Sequence, residues 1–218
     1  MSTDARIDHL DEAPEPASEP YAAREIGAAF LRPHRAIELI LARRDRWTST
    51  VVDGRQLGAL VALMMLASGL FAVPYGLVLG VDQLWRVAAM FLGSALICFP
   101  SLHVFSAFLA LRVDLGQNLA LALLITSVAA IFSFGFFPIL WFFEVTMSGD
   151  GSIGTRHGLS VFLLITALGA GILQICRCLF RERRLRPKGS FWFWVLIFFW
   201  QGLLIFITCR MGIFLGLI

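Results

Sequence analysis

The chain has 218 residues, of which 58% are hydrophobic, and its mean hydropathy is +0.80. A water-soluble core of this size cannot bury so much apolar surface, so the composition excludes an ordinary soluble domain and predicts a membrane protein. The formal net charge of +3 is small, and its distribution along the chain is more informative than its sum.

Residues 1–21 form an acidic, proline-rich segment. Six carboxylate side chains and three prolines fall within its first twenty positions: Asp4, Asp8, Asp11, Glu12, Glu15, Glu19, Pro14, Pro16 and Pro20. Such a composition offers little apolar surface to bury, so we expect a disordered tail here.

Residues 22–56 combine apolar and basic side chains ahead of the first long apolar run. Pro33 suits the first turn of a helix, where its missing N–H is not needed. We therefore expect a helix from about Pro33 to Trp47 that lies along the membrane surface. Its basic residues Arg43, Arg44 and Arg46 would then lie near lipid phosphates. A solvated linker helix is the alternative.

Residues 57–218 contain five apolar runs, each close to the roughly 20 residues that a helix needs to cross the hydrocarbon layer. The runs cover residues 57–79, 87–111, 119–143, 158–176 and 191–208, and the last extends to 218 if Arg210 lies within it. Short connections between the first three favour antiparallel neighbours. The sequence therefore predicts an all-α, polytopic membrane bundle with five transmembrane helices, and we expect Gln117 and Asn118 to lie in a loop at its edge.

Basic residues are distributed unevenly between the two ends of these runs. Eleven lie at one end: Arg43, Arg44, Arg46, Arg55, Arg112, Arg177, Arg181, Arg183, Arg184, Arg186 and Lys188. Only Arg86, Arg156 and Arg210 lie at the other. Because arginine and lysine are retained on the cytoplasmic side, we expect a multi-pass protein of the inner membrane with a cytoplasmic N-terminus and an external C-terminus.

The loop after the fourth run carries the densest positive charge. Its candidates for contact with anionic lipid headgroups are Arg181, Arg183, Arg184, Arg186 and Lys188. We expect lipid as its partner and no nucleic acid, because the loop is short and held at both ends.

Most sequence motifs of common enzymes are absent. The chain has no GxxxxGK[ST], GxSxG or HExxH pattern, and its four cysteines form no CxxC pair. Gly149, Gly151 and Gly154 have the spacing GxGxxG, but they follow an apolar run of helix length instead of a strand, and we interpret them as a turn in an external loop. We therefore expect no catalytic activity, no cofactor and no metal site, and we interpret the cysteines as packing residues.

Four residues within or beside the apolar runs are candidates for function, because polar groups in hydrocarbon are costly. Pro100 frees a backbone carbonyl that a nearby donor can satisfy, and His103 lies one turn beyond it. His103 could gate a proton or bind a substrate, or simply bond to a neighbouring helix. Glu144 and Arg210 are both expected near the outer interface, where they could form an ion pair. Alternatively, Arg210 reaches lipid headgroups.

The segment AAFLRPHRAIELILARRD, residues 28–45, resembles the N-terminal segment of bacterial Yip1-domain proteins. There an aromatic residue, a proline and a basic pair precede a short helix and then the membrane spans. The similarity also extends to a cytoplasmic N-terminal region followed by five spans. The resemblance implies a membrane protein without enzymatic activity.

These observations favour a membrane protein that organises a complex or serves as its accessory subunit, with other membrane or cytoplasmic subunits as partners. A small transporter or channel subunit is the alternative, since Pro74, Pro100 and Pro138 suggest broken helices that could line a substrate site. An intramembrane enzyme acting on lipids is a third hypothesis, which lacks a paired acid and base around His103.

Overall fold

The computed structural model describes residues 20–42, 44–54, 56–108, 113–146, 153–181 and 191–217. This part of the chain is helical and contains no strand, which confirms the predicted all-α class. The α-helices are α1 (Ala23–Leu31), α2 (Pro33–Leu41), α3 (Arg44–Asp53), α4 (Leu57–Leu70), α5 (Val73–Leu79), α6 (Leu84–Phe108), α7 (Leu115–Thr146), α8 (Ile153–Arg181) and α9 (Phe191–Phe214). A 3₁₀ turn, Val81–Gln83, joins α5 to α6. The predicted acidic tail lies almost entirely outside the described residues.

Five segments are long and apolar enough to cross a bilayer, as the sequence predicted. They are Leu57–Leu79, Val81–Phe108, Leu115–Thr146, Gly158–Cys178 and Phe193–Phe214. The protein is therefore a multi-pass membrane protein. The first segment consists of two helices, α4 and α5, with Pro74 in the first turn of α5. Pro100 and Pro138 lie inside the continuous helices α6 and α7.

Helix α7 lies at the centre of the bundle. In its most hydrophobic stretch 72% of residues are buried, against 28% in α9. Every residue from position 120 to position 131 is buried, so α7 contacts neighbours on all its sides. These neighbours are α4 and α5, α6, and α8. Helix α9 packs chiefly on the outside of α6 and is the most exposed span.

The contact between α7 and α8 depends on a glycine. A Cβ atom at Gly171 would lie 2.5 Å from the carbonyl oxygen of Ile125 on α7, so only glycine permits this approach. Ala167, one turn earlier, is completely buried. Small residues four apart allow membrane helices to approach closely, as the pair Ala167 and Gly171 does here.

The end of α9 uses a glycine differently. Gly216 has a φ of +68°, in the left-handed region, and the Leu217 N–H donates to the Gly212 carbonyl at 2.9 Å. Together with the bond from the Gly216 N–H to the Ile213 carbonyl, this is a Schellman motif. Gly216 therefore terminates the helix.

Helices α1, α2 and α3 form a cap on the end of the bundle where α4 begins. The prediction of one continuous surface helix from Pro33 to Trp47 is wrong. Pro33 does begin α2, but α2 ends at Leu41 and Trp47 lies on α3, where it is 1% exposed. The cap contacts α4, α7 and α8. Except for Phe30 and Leu31, its large apolar side chains are buried or half-buried. An amphipathic pattern alone cannot distinguish such a buried face from a lipid-facing surface.

Tyr21 joins the parts of the cap. Its backbone N–H donates to Thr50 Oγ1 at 2.9 Å and its hydroxyl donates to the Leu39 carbonyl at 3.2 Å. These bonds connect the segment before α1 with both α2 and α3. Ile26 and Val51 are completely buried nearby, so the cap has an apolar interior of its own.

We predict that Gly171→Ala destabilises the bundle by about 1–3 kcal/mol, because the added methyl group would overlap the α7 backbone. Gly169→Ala is the matched control, since nothing lies within 4 Å of a Cβ at that position. Thermal unfolding of both variants in the same detergent measures the difference. Equal melting temperatures for the two variants would show that α7 and α8 are not in close contact.

Candidate functional site

Gln117 connects the cap to the membrane helices. Its Nε2 donates to the carbonyl oxygens of Val51 at 2.8 Å and Val52 at 3.3 Å, while its Oε1 accepts from the Asp114 N–H at 2.9 Å. The last carbonyls of a helix lack partners within it, and Gln117 satisfies two of them at the end of α3. The expectation of a loop here is wrong, because Gln117 is buried in the first turn of α7.

A second amide supports the same attachment. Gln174 on α8 is buried, and its Nε2 donates to the Ile40 carbonyl near the end of α2 at 3.5 Å. The two membrane helices α7 and α8 thus each bind the carboxyl end of a cap helix. The cap is held by polar bonds as well as by apolar packing.

His103 belongs to a hydrogen-bonded group between α6 and α7. Asn118 Nδ2 lies 3.1 Å from His103 Nδ1, and Asn118 Oδ1 accepts from Ser106 Oγ at 3.0 Å. An amide nitrogen can only donate, so Nδ1 is the acceptor in this arrangement. Asn118 is 1% exposed and lies in α7, so it is not the loop residue that the sequence suggested. The geometry matches the interpretation of His103 as a residue that bonds to a neighbouring helix.

A hydrogen bond near Pro100 joins α6 to α9. Trp200 Nε1 donates to the Cys98 carbonyl at 3.0 Å, and Ser101 Oγ donates to the same oxygen at 2.7 Å. The carbonyl that a proline at position 100 deprives of its helical donor is that of Leu96, four residues earlier. Trp200 therefore binds the Cys98 carbonyl and not the Leu96 carbonyl that the proline frees. Pro100 itself is exposed.

Gln201 lies beside this bond and lines a small, mostly apolar cavity. The cavity measures about 20 Å³, enough for one water molecule, and Ser106 and Asn118 also line it. Gln201 Nε2 donates to Cys176 Sγ at 3.6 Å. Its Oε1 is buried and has no hydrogen-bond partner in the part of the chain that the structure describes.

Arg210 and Glu144 do not form the hypothesised ion pair within the described residues. Arg210 is exposed, as its alternative contact with lipid headgroups requires. The cation that holds this end of α9 is Arg86, whose Nη1 donates to the Leu215 carbonyl at 3.0 Å. Trp85 lies under the same guanidinium, 5.7 Å away, and is itself exposed.

The end of the bundle opposite the cap contains a larger cavity of about 210 Å³, which we call the distal cavity. Polar and apolar groups share its walls, and its apolar lining residues are Val78, Leu79, Leu140, Phe143, Leu159 and Leu217. Gln83, Glu144 and Ser160 add polar groups, and the backbone at Gly216 closes one side. The structure thus brings Glu144 into a cavity with two polar residues that the sequence did not single out.

The structure does not describe most of the basic side chains that are predicted to contact lipid. Nothing is described of Arg43, Arg183, Arg184, Arg186 and Lys188, or of the side chains of Arg44 and Arg181. Arg46 is described, and its Nη2 lies 2.7 Å from Glu25 Oε2. Its guanidinium also lies 4.7 Å from the centre of the Tyr21 ring. Arg46 therefore makes contacts within the cap.

Metal-binding groups of three or more His, Cys, Asp or Glu side chains do not occur among the residues that the structure describes. The four cysteines are free thiols, and Cys98 and Cys178 are buried. Cys176 accepts a bond from Gln201, so at least one cysteine contributes to helix packing through its sulfur.

The fold and these sites define a five-span helical membrane protein with a three-helix cap at one end and a polar cavity at the other. The chain matches no protein-family model, no curated protein and no solved structure. The resemblance of residues 28–45 to bacterial Yip1-domain proteins stays a prediction.

Several of the residues that hold the helices together were not predicted from the sequence. Gln174 and Gln201 are isolated amides within apolar runs, and the cost of an amide in hydrocarbon is a signal that could have found them. Gln83 lies in the short connection before α6 and Arg86 in the first turn of α6, where polar residues are common, so no local pattern indicates their role. Trp200 is one of many aromatic residues in α9 and is equally inconspicuous.

We predict that Gln117→Leu loosens the cap by about 1–3 kcal/mol, because the Val52 carbonyl loses its donor and the Val51 carbonyl keeps only the 3.3 Å bond from the Gly54 N–H. Hydrogen exchange should become faster in α3 while α8 keeps its protection. Thr166→Val is the control, since this exposed hydroxyl bonds only to the Phe162 carbonyl of its own helix. Unchanged exchange in α3 would contradict the proposed role of Gln117.

Proposed function

We propose that this protein is a non-catalytic subunit that organises a complex in the inner membrane and binds a protein partner through its cap. The observation that carries the proposal is the exposure of two apolar side chains where α1 meets α2. Phe30 is 39% exposed and Leu31 is 85% exposed, although both precede the first membrane span. We call this exposed corner, residues 30–35, the cap corner.

Charge surrounds the apolar part of the cap corner. Arg32, His34 and Arg35 are exposed within it, and Arg24 is exposed on α1. Leu31 and Phe30 are suited to a shallow apolar pocket, and the arginines are suited to acidic side chains at its rim. We therefore expect a partner whose binding surface is apolar in the centre and acidic at the edge.

The attachment of the cap favours binding by a preformed surface. Tyr21, Gln117 and Gln174 fix α2 and α3 through hydrogen bonds, and the short connection at Arg32 is extended because a proline follows it. A surface held in place loses little conformational entropy when a partner binds. A fixed cap corner on a membrane anchor is what an organising or accessory subunit needs.

The similarity of residues 28–45 to Yip1-domain proteins supports the same proposal, because the cap corner falls within that segment. The alternative of a transporter or channel drew on three prolines. Pro74 lies where the first span is divided into α4 and α5. Pro100 and Pro138 lie in unbroken helices with exposed side chains, so only one of the three prolines accompanies a broken helix.

We predict that the double variant Phe30→Ser, Leu31→Ser loses its partner. The protein would be purified in mild detergent from its native membrane, and bound proteins would be quantified by mass spectrometry. A central apolar anchor is typically worth more than 1–2 kcal/mol, so recovery of a stoichiometric partner should fall about tenfold.

Gly27→Ala is the matched control on the same helix, because position 27 is exposed and open. This variant should retain the partner. A partner that the double variant still binds, or a particle that contains no second protein, would refute the proposal. The test leaves the buried Tyr21 and Trp47 in place, whereas deletion of the whole N-terminal region would disturb the fold.

We propose that the cap faces the cytoplasm and the distal cavity faces the outside, on the basis of the uneven distribution of arginine and lysine. Cysteine labelling with a membrane-impermeant maleimide tests this orientation. Asp82→Cys, beside the distal cavity, should react in intact cells, and Asp53→Cys, at the end of α3, only after permeabilisation. Both positions are exposed. The reverse pattern would overturn the orientation.

A further inference from the structure

Three exposed arginines of the cap form no hydrogen bond or ion pair in the part of the chain that the structure describes: Arg24, Arg32 and Arg35. The same two helices carry two carboxylates. Glu25 pairs with Arg46 at 2.7 Å, and Glu38 lies one turn beyond Arg35. Three arginines against one further carboxylate leave an excess of positive charge on this face of the cap.

The arginines adjoin the exposed apolar side chains of the cap corner. Arg24 and Leu31 are seven residues apart, so they lie on the same face of α1. Arg32 and Arg35 flank the start of α2 directly after it. An occupant of this surface must therefore present apolar side chains to Phe30 and Leu31 and carboxylates on both sides of them.

Residues 1–19 lie outside the described part of the chain, and their sequence has this chemistry. They contain six carboxylate side chains and a single arginine, Arg6. After Met1, Ile7 and Leu10 are their only large apolar side chains. Three acidic residues adjoin this pair: Asp8, Asp11 and Glu12. An apolar pair within an acidic segment complements an apolar pair within a basic one.

The connection between the tail and the cap is long enough for contact. The tail joins the described structure at Pro20, just before α1, whose nine residues span about 14 Å. Residues 11–20 include three prolines, and a proline-rich chain of this length extends about 30 Å. The tail can therefore run back along α1 and bring Leu10 to Leu31. Because both segments belong to one chain, their effective concentration is high and a weak contact suffices.

We propose that residues 4–12 of the N-terminal tail bind the cap corner of the same molecule. Ile7 and Leu10 cover the apolar part of the corner, and the tail carboxylates lie next to the three arginines. The tail thus occupies the surface assigned to a protein partner, and a partner must displace it. The contact follows from the two segments alone, whereas its consequence for the partner rests on the proposed function.

Photo-crosslinking in the full-length protein tests the contact. With p-benzoylphenylalanine in place of Leu10, illumination should link position 10 to residues 24–35 of the same chain, and mass spectrometry of the peptides identifies the linked site. Absence of a link to this range would overturn the proposal. A linked product with the mass of two chains would also overturn it, because the occupant would then be the tail of a second copy.

Charge variants show whether the arginines hold the tail. Arg32→Gln combined with Arg35→Gln should lower the yield of the link about fivefold, because two exposed ion pairs together contribute roughly that factor. Both positions are exposed, so the melting temperature should not change. Arg210→Gln is the matched control, since this exposed arginine lies near the opposite end of the bundle. An unchanged yield in the double variant would overturn the pairing.

Anionic lipid is the competing occupant of these arginines, and nanodiscs distinguish it from the tail. The cross-linking would be repeated in phosphatidylcholine alone and in phosphatidylcholine mixed with phosphatidylglycerol. Equal yields support the tail. Loss of the link in the anionic nanodiscs would overturn the proposal and assign the arginines to the membrane surface.

Neutralising the tail separates this inference from the proposed partner. A full-length variant with Asp8→Asn, Asp11→Asn and Glu12→Gln should lower the yield of the link and raise the recovery of a bound partner, each about fivefold. A partner whose recovery stays the same would overturn the tail as its competitor. A link that forms in a particle without any second protein would refute the proposed function and still support the contact.

Discussion

Membrane helices gain little from the hydrophobic effect when they meet, so close contact between backbones and a few polar bonds must hold them together. Helix α7 is the span around which these close contacts and polar bonds are made. Its stretch from position 120 to 131 is buried on every side, and the glycine at 171 lets α8 approach to backbone distance. The other spans are arranged around α7, and its first turn also supplies Gln117, which fixes the cap. The position of the cap therefore depends on the same helix as the packing of the spans.

The spans could be predicted from the sequence because a bilayer imposes a length and a hydropathy that each segment satisfies independently. The cap could not be predicted in the same way. An amphipathic segment such as residues 33–47 has an apolar side whether it faces lipid or the end of a bundle, and only the tertiary structure decides between them. The same limit applies to Glu144 and Arg210. The sequence places both residues near the same membrane interface. Whether they face each other depends on how α9 is rotated on α6. At this end of α9 it is Arg86 that donates to the Leu215 carbonyl.

The polar groups near the cap serve mainly to fix the structure. Gln117, Asn118 and His103 bond to one another's helices or to carbonyls of the cap. Buried polar groups that are fully bonded rigidify a fold. The described residues also include three buried side-chain atoms without a hydrogen-bond partner: Trp47 Nε1, Gln83 Oε1 and Gln201 Oε1. Because these atoms occur in the cap, before α6 and in α9, an unpaired buried group does not by itself distinguish a binding site from a structural cluster.

Helix α9 connects the distal cavity to the stability of the bundle. It is the most exposed span, and the polar bonds that join it to α6 are those from Trp200 to the Cys98 carbonyl and from Arg86 to the Leu215 carbonyl, within the described residues. The second of these bonds lies next to Gly216, which closes the cavity. Loss of either bond would therefore loosen the span whose residues are the least buried. Because the chain end that follows α9 closes the distal cavity, the shape of this cavity depends on how firmly α9 is docked on α6.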